Sequence, residues 1–219
     1  MSDITVESVK KEIRECQEAK YHRGKSWEHC YVFFRRHKQI RNDKELLDKA
    51  ALHLGFFLAS FGMLRASSFL IKRDYKFYLP IIEILLRDKY EQLWNVGIPD
   101  DIQIELIFDL KHRLEEEIKN LNKSTGDNEN HQTDMIISKI LMATIGCVPA
   151  YDRFFMDGVG HGLNGFNKKS FKKLIDKIQK DANLKRVCDA SINIQDPKHE
   201  YPPMKLVDLY FWLKGYYGK

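Results

Sequence analysis

Apolar residues recur at three- and four-residue steps along nearly the whole chain, and no segment alternates between apolar and polar residues as a β-strand does. This periodicity places the apolar side chains on one face of a helix with 3.6 residues per turn. The pattern is clear at 5–20, 99–121 and 168–182, where charged residues separate the apolar positions. The sequence therefore predicts an all-α fold, built as a compact multi-helix domain.

The organisation of the chain is predicted from its length and its polar interruptions. Its 219 residues are enough for one large domain or two small ones. The polar segment NLNKSTGDNENHQT at 120–133 is the strongest loop signal. We expect a single helical domain over 1–219, in which lobes 1–119 and 134–219 are joined by this loop, with a cleft between them.

Local signals predict where individual helices begin. Ser26 and Asp43 each precede a helical segment and carry a side chain that can accept a hydrogen bond from the first helical turn, and the basic helix at 168–182 begins near Asn167, where its N-terminus can face an anion. The segment 75–95 is predicted as one helix with Pro80 near its start, where the missing backbone N–H is tolerated.

Composition excludes several classes of protein. Lys plus Arg number 36 and Asp plus Glu number 31, so the formal charge is a mild +5. No apolar run approaches the roughly 18 residues that span a bilayer, and the charged start has no signal-peptide pattern. We expect a soluble, cytoplasmic monomer without a membrane anchor. The four cysteines form no CxxC pair, so we expect buried free thiols, no metal and no cofactor.

The segment SKILMATIGCVPAYDRFF at 138–155 carries the clearest chemical signal. Lys139 lies within an apolar helix, and a lysine held against apolar surface can have a lowered pKa and act as an amine nucleophile. Asp152 follows the break at Pro149 and starts a new helical turn, where a carboxylate accepts backbone N–H groups and stays ionised. The alternative is that Asp152 only caps a helix and that Lys139 extends to the surface.

The order Lys139, Val148-Pro149, Asp152 resembles the arrangement in helix-hairpin-helix DNA glycosylases. There, a helix carrying a lysine is followed by a proline-containing turn and by an aspartate that caps the next helix. The resemblance is closest to divergent 8-oxoguanine-glycosylase-like branches of archaea and bacteria. This chain departs from the pattern, because the polar loop 120–133 replaces the glycine-rich hairpin and the lysine-to-aspartate spacing is shorter.

The resemblance implies an enzyme that flips a damaged or modified base of DNA out of the stack and excises it. Asp152 would stabilise the positive charge on the sugar, and Lys139 would attack C1′ to add strand-nicking activity. An antiphage defence role, with a target such as glucosylated hydroxymethylcytosine in phage DNA, is one version of this hypothesis. Tyr151 and Arg153 flank the aspartate and are predicted to contact the substrate.

The most apolar stretch, LHLGFFLASFGMLRASSFL at 52–70, contains polar residues that need an explanation. A buried Arg65 would need a carboxylate or phosphate partner. We predict that Arg65, Ser67, Ser68 and Phe61 form a wall of the substrate pocket. The alternatives are a core helix pair bridged by Arg65, or a pocket for a small ligand centred on Arg65.

Two basic clusters predict contact with the DNA backbone. One comprises Lys168, Lys169, Lys172 and Lys173 on the helix after the glycine-rich segment, and the other includes Arg35 and Arg36. The alternative is a solvated helix face, which also suits a non-catalytic helical protein that binds nucleic acid or a partner. The sequence has neither a P-loop nor a GxSxG nucleophile elbow, which disfavours phosphoryl transfer and serine hydrolysis.

Overall fold

The computed structural model describes residues 4–65, 68–127 and 133–218, and over these ranges the chain is all-α, as predicted. The α-helices are α1 (Val6–Glu18), α2 (Lys25–Arg36), α3 (Lys44–Ser60), α4 (Leu79–Leu85), α5 (Asp101–Ser124), α6 (Asp134–Thr144), α7 (Arg153–Val159), α8 (Lys168–Lys180), α9 (Ala182–Cys188) and α10 (Pro203–Tyr217). Shorter 3-10 segments cover Phe69–Lys72, Tyr75–Tyr78 and Asp88–Asn95. Extended pairing in these ranges is confined to an antiparallel bridge between Asn193 and Glu200.

Capping side chains begin several helices where the sequence predicts them. Asp43 accepts a hydrogen bond from the backbone of Leu46, and Asn167 accepts one from the backbone of Ser170. The prediction for Ser26 is wrong, since α2 begins at Lys25 after Gly24, and the Ser26 hydroxyl instead donates to a preceding carbonyl. Local side-chain chemistry is therefore enough to start α3 and α8 but not α2.

Two predicted helix boundaries are corrected by the structure. The single helix expected at 75–95 is divided into a 3-10 turn, α4 and a second 3-10 segment, because the backbone of Arg87 leaves the helical region. The loop expected at 120–133 begins later, since α5 continues to Ser124. The buried Asn122 explains this continuation, because its side chain accepts a hydrogen bond from Arg73. Residues 128–132 of that loop lie outside the described ranges.

The core contains buried residues from both predicted lobes in one continuous cluster. Helix α6 is buried along its length and packs against α2 and α3, which places Lys139 well inside the protein. None of the helices in the described ranges has the length and apolar composition needed to span a bilayer. The fold therefore surrounds a charged residue of α6 with elements from the first 65 residues and from the last helix.

Helices α7 and α10 cross at two glycines. A Cβ atom on Gly158 would lie 2.7 Å from the carbonyl carbon of Phe211 and 2.9 Å from the amide nitrogen of Gly215. A Cβ atom on Gly215 would meet the backbone of α7 at similar separations. Because only glycine permits this backbone approach, the crossing fixes α10 against the helix that Asp152 caps.

Candidate active site around Lys139 and Asp152

A cavity of about 480 Å³ lies between α1, the turn after α3, α6, the start of α7 and α10. This volume is within the range of about 300–1,000 Å³ typical of small-molecule sites. The lining side chains include a mixture of charged and aromatic groups: Glu12, Arg23, Trp27, Phe61, Arg65, Lys139, Asp152, Arg153, Phe154, Lys205, Asp208 and Trp212. The sequence segments that carry them span nearly the whole chain.

Lys139 is held inside this cavity and does not extend to the surface. Its side chain is about 6% exposed, and Nζ donates a 2.9 Å hydrogen bond to the backbone carbonyl of Phe61. The same nitrogen lies 3.9 Å from Oδ2 of Asp152. Burial lowers the pKa of Lys139 from its usual 10.5, and the nearby carboxylates of Asp152 and Asp208 oppose that shift. A buried amine with a lowered pKa is a usable nucleophile or proton acceptor.

Asp152 is both a helix cap and a cavity residue. Oδ1 accepts a 3.1 Å hydrogen bond from the backbone of Phe155, which leaves Oδ2 for Lys139. The peptide leading to Asp152 is held by side chains on two other helices. Ser138 accepts a hydrogen bond from the amide of Tyr151 at 3.0 Å, and Asp208 accepts one from the amide of Ala150 at 3.0 Å. These bonds fix the carboxylate relative to both α6 and α10.

Lys205 and Asp208 form a second buried ion pair beside the first. Their Nζ and Oδ2 atoms are 2.7 Å apart, and each side chain is only about 7% exposed. The Lys205 ammonium also lies over the rings of Trp27 and Phe61, at 5.4 and 5.9 Å from their centroids. Burial raises the pKa of Asp208, while Lys205 opposes that shift. Sequence reasoning missed this pair, although two opposite charges three residues apart in the otherwise apolar segment KLVDLYFW are its signal.

Three of the residues predicted to contact the substrate lie at the cavity, and their role in binding stays a prediction. Phe61, Arg65 and Arg153 all line the cavity. Arg65 is exposed at the cavity edge, so the expectation of a buried arginine is wrong. The guanidinium of Arg153 lies over the ring of Phe154 at 4.7 Å from its centroid. Five basic and three acidic side chains line the cavity, a balance that favours an anionic ligand.

Other predicted substrate contacts lie elsewhere. Tyr151 is a core residue, since its ring packs against Phe155 and Phe166 and does not line the cavity. Ser68 caps the following 3-10 segment by accepting a hydrogen bond from Leu70. Their expected roles in binding are therefore corrected to structural ones. Ser67 lies outside the described residues.

The predicted DNA-backbone lysines lie on α8 and do not line the cavity. Two of them form ion pairs with the first turns of α5, Lys168 with Glu105 and Lys172 with Asp101. Lys173 donates to a backbone carbonyl of the preceding loop, and Lys169 is exposed. The exposed ion pairs are weak enough for phosphate to displace them, so backbone contact stays a prediction.

Arg35 and Arg36 are engaged within the protein. Arg35 donates to the backbone carbonyl of Trp94 and to the side chain of Asn95, and Arg36 forms an ion pair with Asp196. Neither residue lines the cavity. Arg36, which is more than half exposed, is the better placed of the two for an external phosphate.

The comparisons with known proteins assign no family. No protein-family profile, curated protein or solved structure is significantly similar to the chain. In the described part of the chain, histidine, cysteine, aspartate and glutamate form no group of three or more that could hold a metal ion. The chemistry of the site is therefore argued from the paired charges and the cavity that contains them.

Proposed function

We propose that this protein is a DNA glycosylase that excises a modified or damaged base held in the cavity beside Lys139 and Asp152. The observation that carries this proposal is the position of Lys139 Nζ, 3.9 Å from Asp152 Oδ2, in a cavity of about 480 Å³. A nucleophilic amine and a fixed carboxylate in one pocket are the two groups that cleavage of an N-glycosidic bond with imine formation requires.

The reaction begins when a nucleotide leaves the base stack and enters the cavity. As the bond between C1′ and the base nitrogen breaks, its electron pair stays with the base, which takes up a proton. The positive charge that develops on the sugar is stabilised by the Asp152 carboxylate. The neutral Lys139 amine adds to C1′ and loses a proton to Asp152 or water. The ring oxygen then takes up a proton from water as the sugar ring opens to an iminium ion. Loss of a C2′ proton to water expels the 3′-phosphate by β-elimination and breaks the strand.

Water replaces the amine if Lys139 stays bound to the Phe61 carbonyl. Asp152 then orients the water, and the product is an abasic site in an intact strand. The hydrogen bond from Lys139 to this carbonyl is 2.9 Å long, so the amine must exchange it for the sugar before it can attack. The turn that carries Phe61 therefore selects between the two outcomes.

The surroundings of the pair favour a nucleotide as the occupant. Phe61 and Trp212 line the cavity and are partly buried, so their rings can pack against a flipped base. Arg65 and Arg153 lie at exposed positions of the lining, where they can meet the phosphates on either side of the flipped nucleotide. The excess of basic lining residues gives the cavity a net positive charge, which attracts a polyanion such as DNA.

The proposal is tested by incubating the protein with duplex and single-stranded DNA that carry damaged or modified bases, including glucosylated hydroxymethylcytosine. Abasic sites are scored by alkali cleavage, and imine formation is scored by borohydride trapping. Asp152→Asn is expected to lower excision by about 100-fold or more, because the negative charge that stabilises the transition state is lost. Asp176→Asn, at an exposed carboxylate of α8 outside the cavity, is the matched control.

Lys139→Met distinguishes the two versions of the mechanism. Loss of trapping and of strand nicking, with abasic sites still formed, supports amine attack as the second step. The glycosylase proposal is wrong if no substrate yields abasic sites. DNA binding that persists without excision would instead support a non-catalytic nucleic-acid-binding protein. Tight binding of a small anion to Arg65 and Lys205 without DNA binding would support a ligand-binding protein.

A further inference from the structure

Helix α10 carries its cavity-lining side chains on one stripe that continues past the cavity. Four residues of this helix line the cavity, and each lies three or four positions from at least two of the others: Lys205, Asp208, Leu209 and Trp212. Tyr216 lies four residues after Trp212 on the same face and is about 48% exposed. One helical turn advances about 5.4 Å, so Tyr216 lies directly outside the cavity along the helix axis.

The rings at this end of α10 form a continuous aromatic cluster. Trp212 and Tyr216 are nearly parallel, with centroids 4.8 Å apart and planes inclined by 10°. Phe154 presents its edge to both rings, at 5.5 and 5.3 Å, and Arg153 covers the Phe154 ring. Tyr217 meets Tyr216 edge to face at 5.0 Å and is about 62% exposed.

Such exposure of two tyrosines is not explained by packing within the described chain. Most of the other aromatic rings are buried in the core, whereas these two are held by neighbouring rings and still face solvent. Trp212 belongs to both the cavity and the cluster, so the cluster adjoins the cavity. The basic side chain of Arg153 lies at the same place, beside Asp152.

We infer that Trp212, Tyr216 and Tyr217 form a stacking platform for an unpaired nucleobase next to the nucleotide in the cavity, so that the preferred substrate is single-stranded or locally melted DNA. This inference rests on the proposed function for the identity of the polymer as DNA. Aromatic side chains bind unpaired bases because every base has an exposed π face, whereas the bases of a duplex are already stacked on one another. The binding is therefore tolerant of sequence and sensitive to strand pairing.

The test measures binding without excision. The full chain is titrated with a fluorescently labelled, unmodified single-stranded oligonucleotide and with the duplex of the same sequence, at one fixed low salt concentration, by anisotropy. The wild-type protein is expected to bind the single strand more tightly. Tyr216→Ala is expected to weaken single-strand binding by about 5- to 30-fold, the effect of losing one stacked base, and to change duplex binding little.

Three further variants separate stacking from other effects. Tyr216→Phe keeps the ring and is expected to bind like the wild type. Tyr217→Ala removes a more exposed ring and is expected to weaken single-strand binding less than Tyr216→Ala does. Phe56→Ala removes a ring of similar exposure on α3 that does not line the cavity, and it is expected to change nothing. Circular dichroism verifies that each variant keeps the helical content of the wild type.

The outcomes distinguish this inference from the proposed function. Binding that depends on Tyr216 without excision of any base supports the platform and rejects the glycosylase. Excision by a protein whose Tyr216→Ala variant binds single strands normally rejects the platform and leaves the glycosylase. Equal losses for single-stranded and duplex DNA, or no binding of either DNA, also overturn the inference.

Discussion

The crossing of α7 and α10 at Gly158 predicts an effect on stability whose sign opposes helix propensity. Gly158 lies inside α7, where replacing glycine by alanine ordinarily stabilises a helix by about 1 kcal/mol. The added Cβ would lie 2.7 Å from the carbonyl carbon of Phe211 and closer still to its oxygen, whereas ordinary contacts begin near 3.4 Å. The helices would have to separate by roughly 1 Å or more, and no rotation of a side chain can relieve a clash between backbones.

The magnitude follows from the two opposing terms. Overpacking costs about 1–3 kcal/mol, and the upper end applies here because the obstacle is backbone. After subtracting the propensity gain, Gly158→Ala is expected to lower the free energy of unfolding by about 2 kcal/mol. For a chain of this size, that corresponds to a decrease in Tm of about 4–8 °C.

The assay is urea unfolding followed by circular dichroism, with Gly97→Ala as the matched control. A Cβ atom on Gly97 meets nothing within 4 Å, so that variant is expected to range from no change to about 1 kcal/mol of stabilisation. A Gly158→Ala protein as stable as the wild type, or more stable, would refute the close crossing.

Three more predictions concern charges and thiols. Asp152→Asn is expected to lower the pKa of Lys139 further, because burial remains while the carboxylate that favours the ammonium is lost. Reductive methylation of Lys139 should then begin at a lower pH than in the wild type. Methylation that begins at a higher pH would contradict this prediction. Glu28→Ala is expected to lower the free energy of unfolding by about 3 kcal/mol, because the buried carboxylate accepts a hydrogen bond from the Tyr201 hydroxyl. Glu28→Gln should lower it less, and thermal unfolding of both variants measures the difference. Burial raises the pKa of the Cys16 thiol to about 11, so its alkylation at pH 7.5 should be about 100-fold slower than that of a free thiol. The rate should rise with pH up to about 11. Rapid labelling at neutral pH would contradict this prediction.

Helix positions were predictable where their causes are local. The cap of Asp43 and the amphipathic face of α8 depend on residues within a few positions of one another, and the structure has both. The end of α5 was not predictable in this way, because it depends on a contact between Asn122 and Arg73, which are separated by 49 residues. Ser26 is an exception to this distinction, since the contact that keeps it from capping α2 is local: its hydroxyl donates to the carbonyl of Arg23, three residues earlier.

The helical class follows from the period of apolar residues, which is a local property of the chain. The sequence also singled out Lys139 and Asp152 but left open whether the lysine extends to the surface; the bonds to Phe61 and Asp208, which are distant in sequence, bring the two groups to 3.9 Å. The tertiary structure was needed to show that Lys205, Asp208 and Trp212 line the same cavity and that Tyr151 does not. The position of these α10 side chains depends on where α10 crosses α7. The crossing is set by backbone contact at Gly158 and Gly215. These glycines are distant in sequence, and the pattern of residues within either helix does not predict that they meet.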